Sequence, residues 1–142
     1  MPALGGAAAQ PLRFLDFLIH EPVRAVLLHG AGVPVLVPSP ERYAVHKLIV
    51  ASRRRIDGDR LAKAEKDRHQ SLTLIKALVT TRRTQALADV YMEAWDRGAA
   101  WREAISESLA ALDPSEWTDL RGAIAAAVTR LGGEASNYGV EV

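Results

Sequence analysis

Lys47 and Arg54 stand seven residues apart in the stretch Pro38-Ser39-Pro40-Glu41-Arg42-Tyr43-Ala44-Val45-His46-Lys47-Leu48-Ile49-Val50-Ala51-Ser52-Arg53-Arg54-Arg55. In a helix that spacing is two turns, so the two cations share a face. Lys66, Asp67 and Gln70 follow within a second helical pattern. Cations and a carboxylate on adjacent helices can hold a polyanion such as a nucleoside triphosphate, with lysine as a point charge and arginine as a planar fork. The same residues also suit a solvated helix surface. In that reading Asp67 pairs with Lys63, four positions earlier, for only a few tenths of a kcal/mol.

The elements that would position these groups are legible. Ser39 is placed to cap a helix, with Pro40 at its first position, where a missing N–H costs nothing. Tyr43, Val45, Leu48, Ile49 and Val50 supply its apolar contacts, and Arg53 to Arg55 suit its C-terminal end. Asp57-Gly58-Asp59 reads as a turn, with Asp59 capping a second helix that runs to about Arg83. Three shorter helices are expected near 84–97, 99–112 and 114–131. The last begins at Asp113-Pro114-Ser115-Glu116, a capping-box pattern, and stops at Gly132-Gly133. Trp95, Trp101 and Trp117 fall on apolar stripes and read as core. The last nine residues are expected to fray.

Upstream, Val23–Leu28 and Val33–Val37 read as strands joined by His29-Gly30-Ala31-Gly32 in a hairpin. Leu12–Ile19 is read as a further strand, a short helix being the alternative. Two or three strands followed only by helices define an α+β chain. Residues 1–38 form a partial mixed sheet and 39–142 a five-helix region, together one compact unit. A sheet this thin is marginal by itself, so further strands are expected before Met1.

The chain has 142 residues and no cysteine, which excludes disulfides, cysteine zinc sites and thiol catalysis. No apolar run reaches the roughly 20 residues that span a bilayer, and no signal-peptide pattern opens the chain. A cytoplasmic protein is expected. The formal net charge of +1 hides a strong asymmetry. Residues 42–83 carry 12 basic and 4 acidic groups, and residues 84–142 carry 4 basic and 10 acidic groups. The basic helices of 39–83 suit a phosphate-bearing partner. The acidic helices of 84–131 can equally compensate them. The histidines lack a ligand spacing, so no metal site is assigned.

Three segments carry a resemblance. They are Leu12–Ile19, then Val35-Leu36-Val37-Pro38-Ser39-Pro40-Glu41-Arg42-Tyr43-Ala44-Val45-His46-Lys47-Leu48-Ile49-Val50, then Lys66-Asp67-x-x-Gln70. Together they resemble bacterial proteins of the nucleotidyltransferase fold, in particular the C-terminal half of a nucleotidyltransferase-like family. A more distant likeness is to abortive-infection nucleotidyltransferase toxins. The resemblance implies transfer of a nucleoside monophosphate from a nucleoside triphosphate, with magnesium held by two carboxylates after a Gly-Ser turn. It makes Lys47 a phosphate-gripping lysine, with Arg54, Lys66 and Gln70 as further nucleotide contacts. It makes Asp67 a catalytic candidate that orients or deprotonates the acceptor hydroxyl.

The chain departs from the family pattern at its core motif. No Gly-Ser precedes an acidic pair, and Gly30-Ala31-Gly32 leads into apolar sequence. Its Asp-x-Asp, Asp57-Gly58-Asp59, stands after the helix bearing Lys47 and reads as a turn. Asp16 is a candidate metal carboxylate, a strand-end or edge residue being the alternative. The expectation is therefore a truncated C-terminal portion, inactive alone, with magnesium relevant only to the complete enzyme and the carboxylates supplied upstream or by a separate chain. The alternatives are a non-catalytic basic module binding nucleic acid or an acidic protein, and a structural remnant that forms a homodimer through its sheet edge.

Overall fold

A computed structural model describes residues 14–54 and 58–141 of the chain. The elements run α1 (Leu15–Leu18), β1 (Val23–Leu27), β2 (Val33–Val37), α2 (Pro40–Arg53), α3 (Gly58–Thr80), α4 (Thr84–Asp96), α5 (Ala99–Ala110) and α6 (Pro114–Arg130), closed by a 3-10 turn at Ala135–Tyr138. The expected α+β order therefore stands, with five helices after the hairpin.

Helix α2 is the hub, packing on α3, α5 and α4, while α4 also packs on α6. Its start follows from its sequence. Ser39 is extended, and its hydroxyl accepts from the Arg42 N–H at 3.3 Å, with Pro40 in the first turn. Ala44, Val45, Leu48 and Ile49 then fall on the buried face, against Ile75 of α3 and Ile105 of α5 in one core. Two buried serines bond to backbone carbonyls of α2. Ser71 of α3 donates to Ala44 at 2.7 Å, and Ser108 of α5 donates to Leu48.

Four expectations need correction. The described part of 12–19 is a single helical turn rather than a strand, entered through Phe14 at φ 70°. A strand would set Leu15, Phe17 and Ile19 on one face, yet only Phe17 is buried. Phe17 is held by Arg42, whose guanidinium donates to the Phe17 carbonyl at 3.3 Å and lies over its ring at 5.0 Å. Helix α3 begins at Gly58, so Gly58-Asp59 belongs to the helix rather than to a preceding turn and cap; Asp57 lies outside the described residues. The Asp113 carboxylate caps α6 through the Ser115 N–H at 2.8 Å, two residues on, instead of three as a capping box requires. The described part of the tail, to Glu141, is packed rather than frayed. Val140 is fully buried, and the Tyr91 hydroxyl donates to the Tyr138 carbonyl at 2.9 Å.

The hairpin pairs in antiparallel register, Val23 opposite Val37 and Leu27 opposite Val33. Val23, Ala25 and Leu27 share one face with Val33, Val35 and Val37, and none of the six is buried. The other face exposes Val26 and Leu36. Among the described residues the sheet has two strands.

Candidate functional site

The structure joins three of the residues singled out by spacing. The Lys47 ammonium donates to Asp67 Oδ1 at 2.7 Å, and Arg54 Nε donates to Asp67 Oδ2 at 2.6 Å. The carboxylate is 5% exposed, the Lys47 side chain 16% and the Arg54 side chain 40%. Lys47 comes from the outer face of α2, Arg54 from the residue just past its end, and Asp67 from α3. The pairing of Asp67 with Lys63 is therefore replaced by a contact between helices. A buried carboxylate needs such partners, because its desolvation costs several kcal/mol.

The cluster carries two positive charges and one negative. Partial burial pulls the Lys47 pKa down, but the hydrogen bond and charge of Asp67, helped by Tyr43, outweigh it and leave the pKa raised. Lys47 thus stays an ammonium at neutral pH. Beside it, burial first and the Lys47 charge second push His46 below its ordinary value, partly offset by Asp67. The Lys47 ammonium also lies 5.1 Å from the centre of the Tyr43 ring.

Gln70 stands one turn beyond Asp67. It is half-buried, and its carboxamide oxygen is buried without a hydrogen-bond partner among the described residues. Lys66 is exposed and lines a separate open cleft of about 620 Å³ with Glu65, His69, Asp113 and Glu116. The structure therefore gathers Lys47, Arg54 and Asp67, sets Gln70 beside them, and leaves Lys66 apart. Asp16 is exposed and paired with Arg97 at 2.6 Å, and it is not grouped with other metal-capable side chains among the described residues.

The other charges of the Pro40–Lys47 segment are structural. Arg42 is buried and grips Glu93 of α4 with both Nη atoms, at 3.2 and 2.7 Å. The Arg42 hydrogen bond, with help from Arg97, holds the Glu93 carboxyl below the ordinary carboxylate range. Glu41 faces Arg83 at 2.7 Å as a charge contact without hydrogen-bond geometry. Spacing alone missed Tyr43, which reads as an apolar contact. The signal was present, since Tyr43, Lys47, Val50 and Arg54 form a stripe at helical intervals.

Magnesium does not fit this cluster. A hard cation needs several oxygen ligands, while both Asp67 oxygens face cations. No group of three or more metal-capable side chains occurs among the described residues.

A basic helix pair closes around a buried carboxylate on an α+β fold. The particular family follows from comparison: the model of a family described as "Nucleotidyltransferase" matches residues 1–96, more than half of the chain, and the chain belongs to that family. No curated protein and no solved structure matches it. Among the described residues, no helix is long and apolar enough to cross a membrane.

Proposed function

We propose that α2 and α3 grip the phosphates of a nucleoside triphosphate within a magnesium-dependent nucleotide transfer. Lys47 and Arg54 meet the phosphates, and Gln70 supplies a neighbouring hydrogen bond. The observation that carries this reading is the buried Asp67 holding both cations side by side at 2.7 and 2.6 Å. Such fixed donors suit a polyanion, because little ordering cost remains when it binds. Asp67 acts first as a positioning residue. To take a proton from an acceptor hydroxyl it must release one of its two cations, and a phosphate arriving at that cation supplies the exchange. The two metal-holding carboxylates come from a separate chain or segment, so the chain alone binds nucleotide without transferring it.

Calorimetric titration with ATP, GTP, CTP and UTP tests this reading. Lys47→Ala and Arg54→Ala should each weaken binding about tenfold, the scale of one charge-assisted hydrogen bond. Incubation with α-labelled nucleotides should label neither the protein nor added RNA. Absence of binding to all four nucleotides refutes the phosphate grip. Label transfer by the chain alone refutes the assignment of the carboxylates to another segment.

A further inference from the structure

We propose that Tyr43 and Gln70 form the nucleobase subsite of this phosphate grip, Tyr43 stacking on the base and Gln70 hydrogen-bonding its edge. The inference rests on the phosphate-grip reading and gives the ligand a direction along α2.

Tyr43 is the most exposed Phe, Tyr or Trp side chain among the described residues, at 36%. The tryptophans have partners elsewhere. Trp95 and Trp117 are buried, and Trp101 packs edge-on against Phe14 and Phe17. Tyr43 lies one turn before Lys47 on the same face of α2, and the Lys47 ammonium sits 5.1 Å from its ring centre. An exposed ring held beside a phosphate-gripping lysine is the arrangement that single-stranded nucleic acid sites use for a base.

Gln70 supplies the second observation. Ser71 of α3 bonds to the Ala44 carbonyl, and Asp67 bonds to Lys47. The helices therefore run antiparallel, and Gln70 is level with residues 43–47 of α2. It stands at the Tyr43 end of the cluster, with a buried carboxamide oxygen lacking a partner. A buried polar atom of this kind is costly until something bonds to it. The Lys47 ammonium is 5.1 Å from the Tyr43 ring centre and shares the Asp67 carboxylate with Arg54, so ring, ammonium and guanidinium follow one another in that order. A nucleoside triphosphate laid along that line has its base at Tyr43 and its phosphates toward Lys47 and Arg54.

The test compares ATP with inorganic tripolyphosphate on the full chain by calorimetry, with thermal melting as a check on folding. The expected result is that wild type binds ATP more tightly than tripolyphosphate. Tyr43→Ala should lower ATP affinity by roughly 5- to 150-fold, the range of base–aromatic stacking, and leave tripolyphosphate binding unchanged. Tyr43→Phe should bind ATP as wild type does, because stacking needs the ring and not the hydroxyl. Gln70→Leu should narrow the differences between the four nucleotides while sparing tripolyphosphate. Equal affinity of wild type for ATP and tripolyphosphate overturns the base subsite and leaves the phosphate grip standing. So does an unchanged ATP affinity in Tyr43→Ala. Loss of both ligands in a folded Tyr43→Ala overturns it as well, since Tyr43 then acts only by placing Lys47. Failure of wild type to bind either ligand overturns both readings together.

Discussion

Replacing Asp67 by asparagine keeps the side-chain shape and removes its charge. Asparagine offers one acceptor oxygen, and its NH₂ must then face a cation. The Lys47 side chain is only 16% exposed and cannot rehydrate freely, whereas Arg54, at 40%, can swing into water. Breaking a fully buried pair costs about 3–5 kcal/mol, and an exposed pair is worth about 0–1 kcal/mol. The Lys47 contact lies nearer the first limit and the Arg54 contact nearer the second. Asp67→Asn should therefore cost about 2–4 kcal/mol, Lys47→Met about 1–3, and Arg54→Ala under about 1. Urea unfolding followed by circular dichroism reads these values. With a slope of about 2 kcal/mol per molar urea, Asp67→Asn should lower the midpoint by roughly 1–2 M. An Asp67→Asn cost below about 0.5 kcal/mol, the level of an ordinary surface change, refutes the reasoning. So does an Arg54→Ala cost equal to that of Lys47→Met.

Three further outcomes are expected. His46 should titrate below 6.5 in an NMR pH series, because burial and Lys47 oppose its charged form. The unfolded chain then takes up the proton first, so stability falls as pH drops from 6.5 toward the lower folded value, and His46→Gln should flatten that slope. A His46 titration at or above 6.5 contradicts the assignment. At Gly139, with φ 65°, an added Cβ would lie 2.7 Å from the Trp95 ring. Gly139→Ala should cost about 1–3 kcal/mol and lower the melting temperature clearly. Gly132→Ala, with positive φ but open space around it, should cost less, and the reverse order would be decisive against this packing. The hairpin exposes Val26, Leu28 at 95%, and Leu36. Sedimentation velocity should show self-association rising with concentration, reduced by Val26→Lys with Leu36→Lys while helix content stays the same. A wild-type chain that remains monomeric at high concentration would remove this expectation.

Where structure is set by near neighbours, the sequence was a sufficient guide. The Ser39-Pro40 start of α2 and the Val33–Val37 strand depend on local capping geometry and on a short apolar run after a glycine turn, and both appear where expected. The run at 12–19 was ambiguous because a short apolar segment lacks the length to show its period. Its helical turn is imposed by contacts of Phe17 with Arg42, 25 residues away. The tail looked free because its anchor, Val140, fills a space made by distant helices. The site divides in the same way. The shared face of Lys47 and Arg54 follows from one helix, but their common partner stands across a helix–helix interface. Nothing within α3 itself distinguishes Asp67 from a surface carboxylate paired with Lys63.

The two serine hydroxyls that bond to α2 have a mechanical consequence. Ser71 and Ser108 engage the carbonyls of Ala44 and Leu48, from α3 and from α5. These carbonyls already belong to the helical ladder, so the serines take up spare lone pairs and act as keys in a shaft. Aliphatic contacts are non-directional and resist a slide or roll of the helix only through close packing. Keys from two neighbours add a directional restraint, because any such shift strands a buried hydroxyl. The bearing of Lys47 toward Asp67 is thereby fixed from behind, by atoms that never face solvent or ligand.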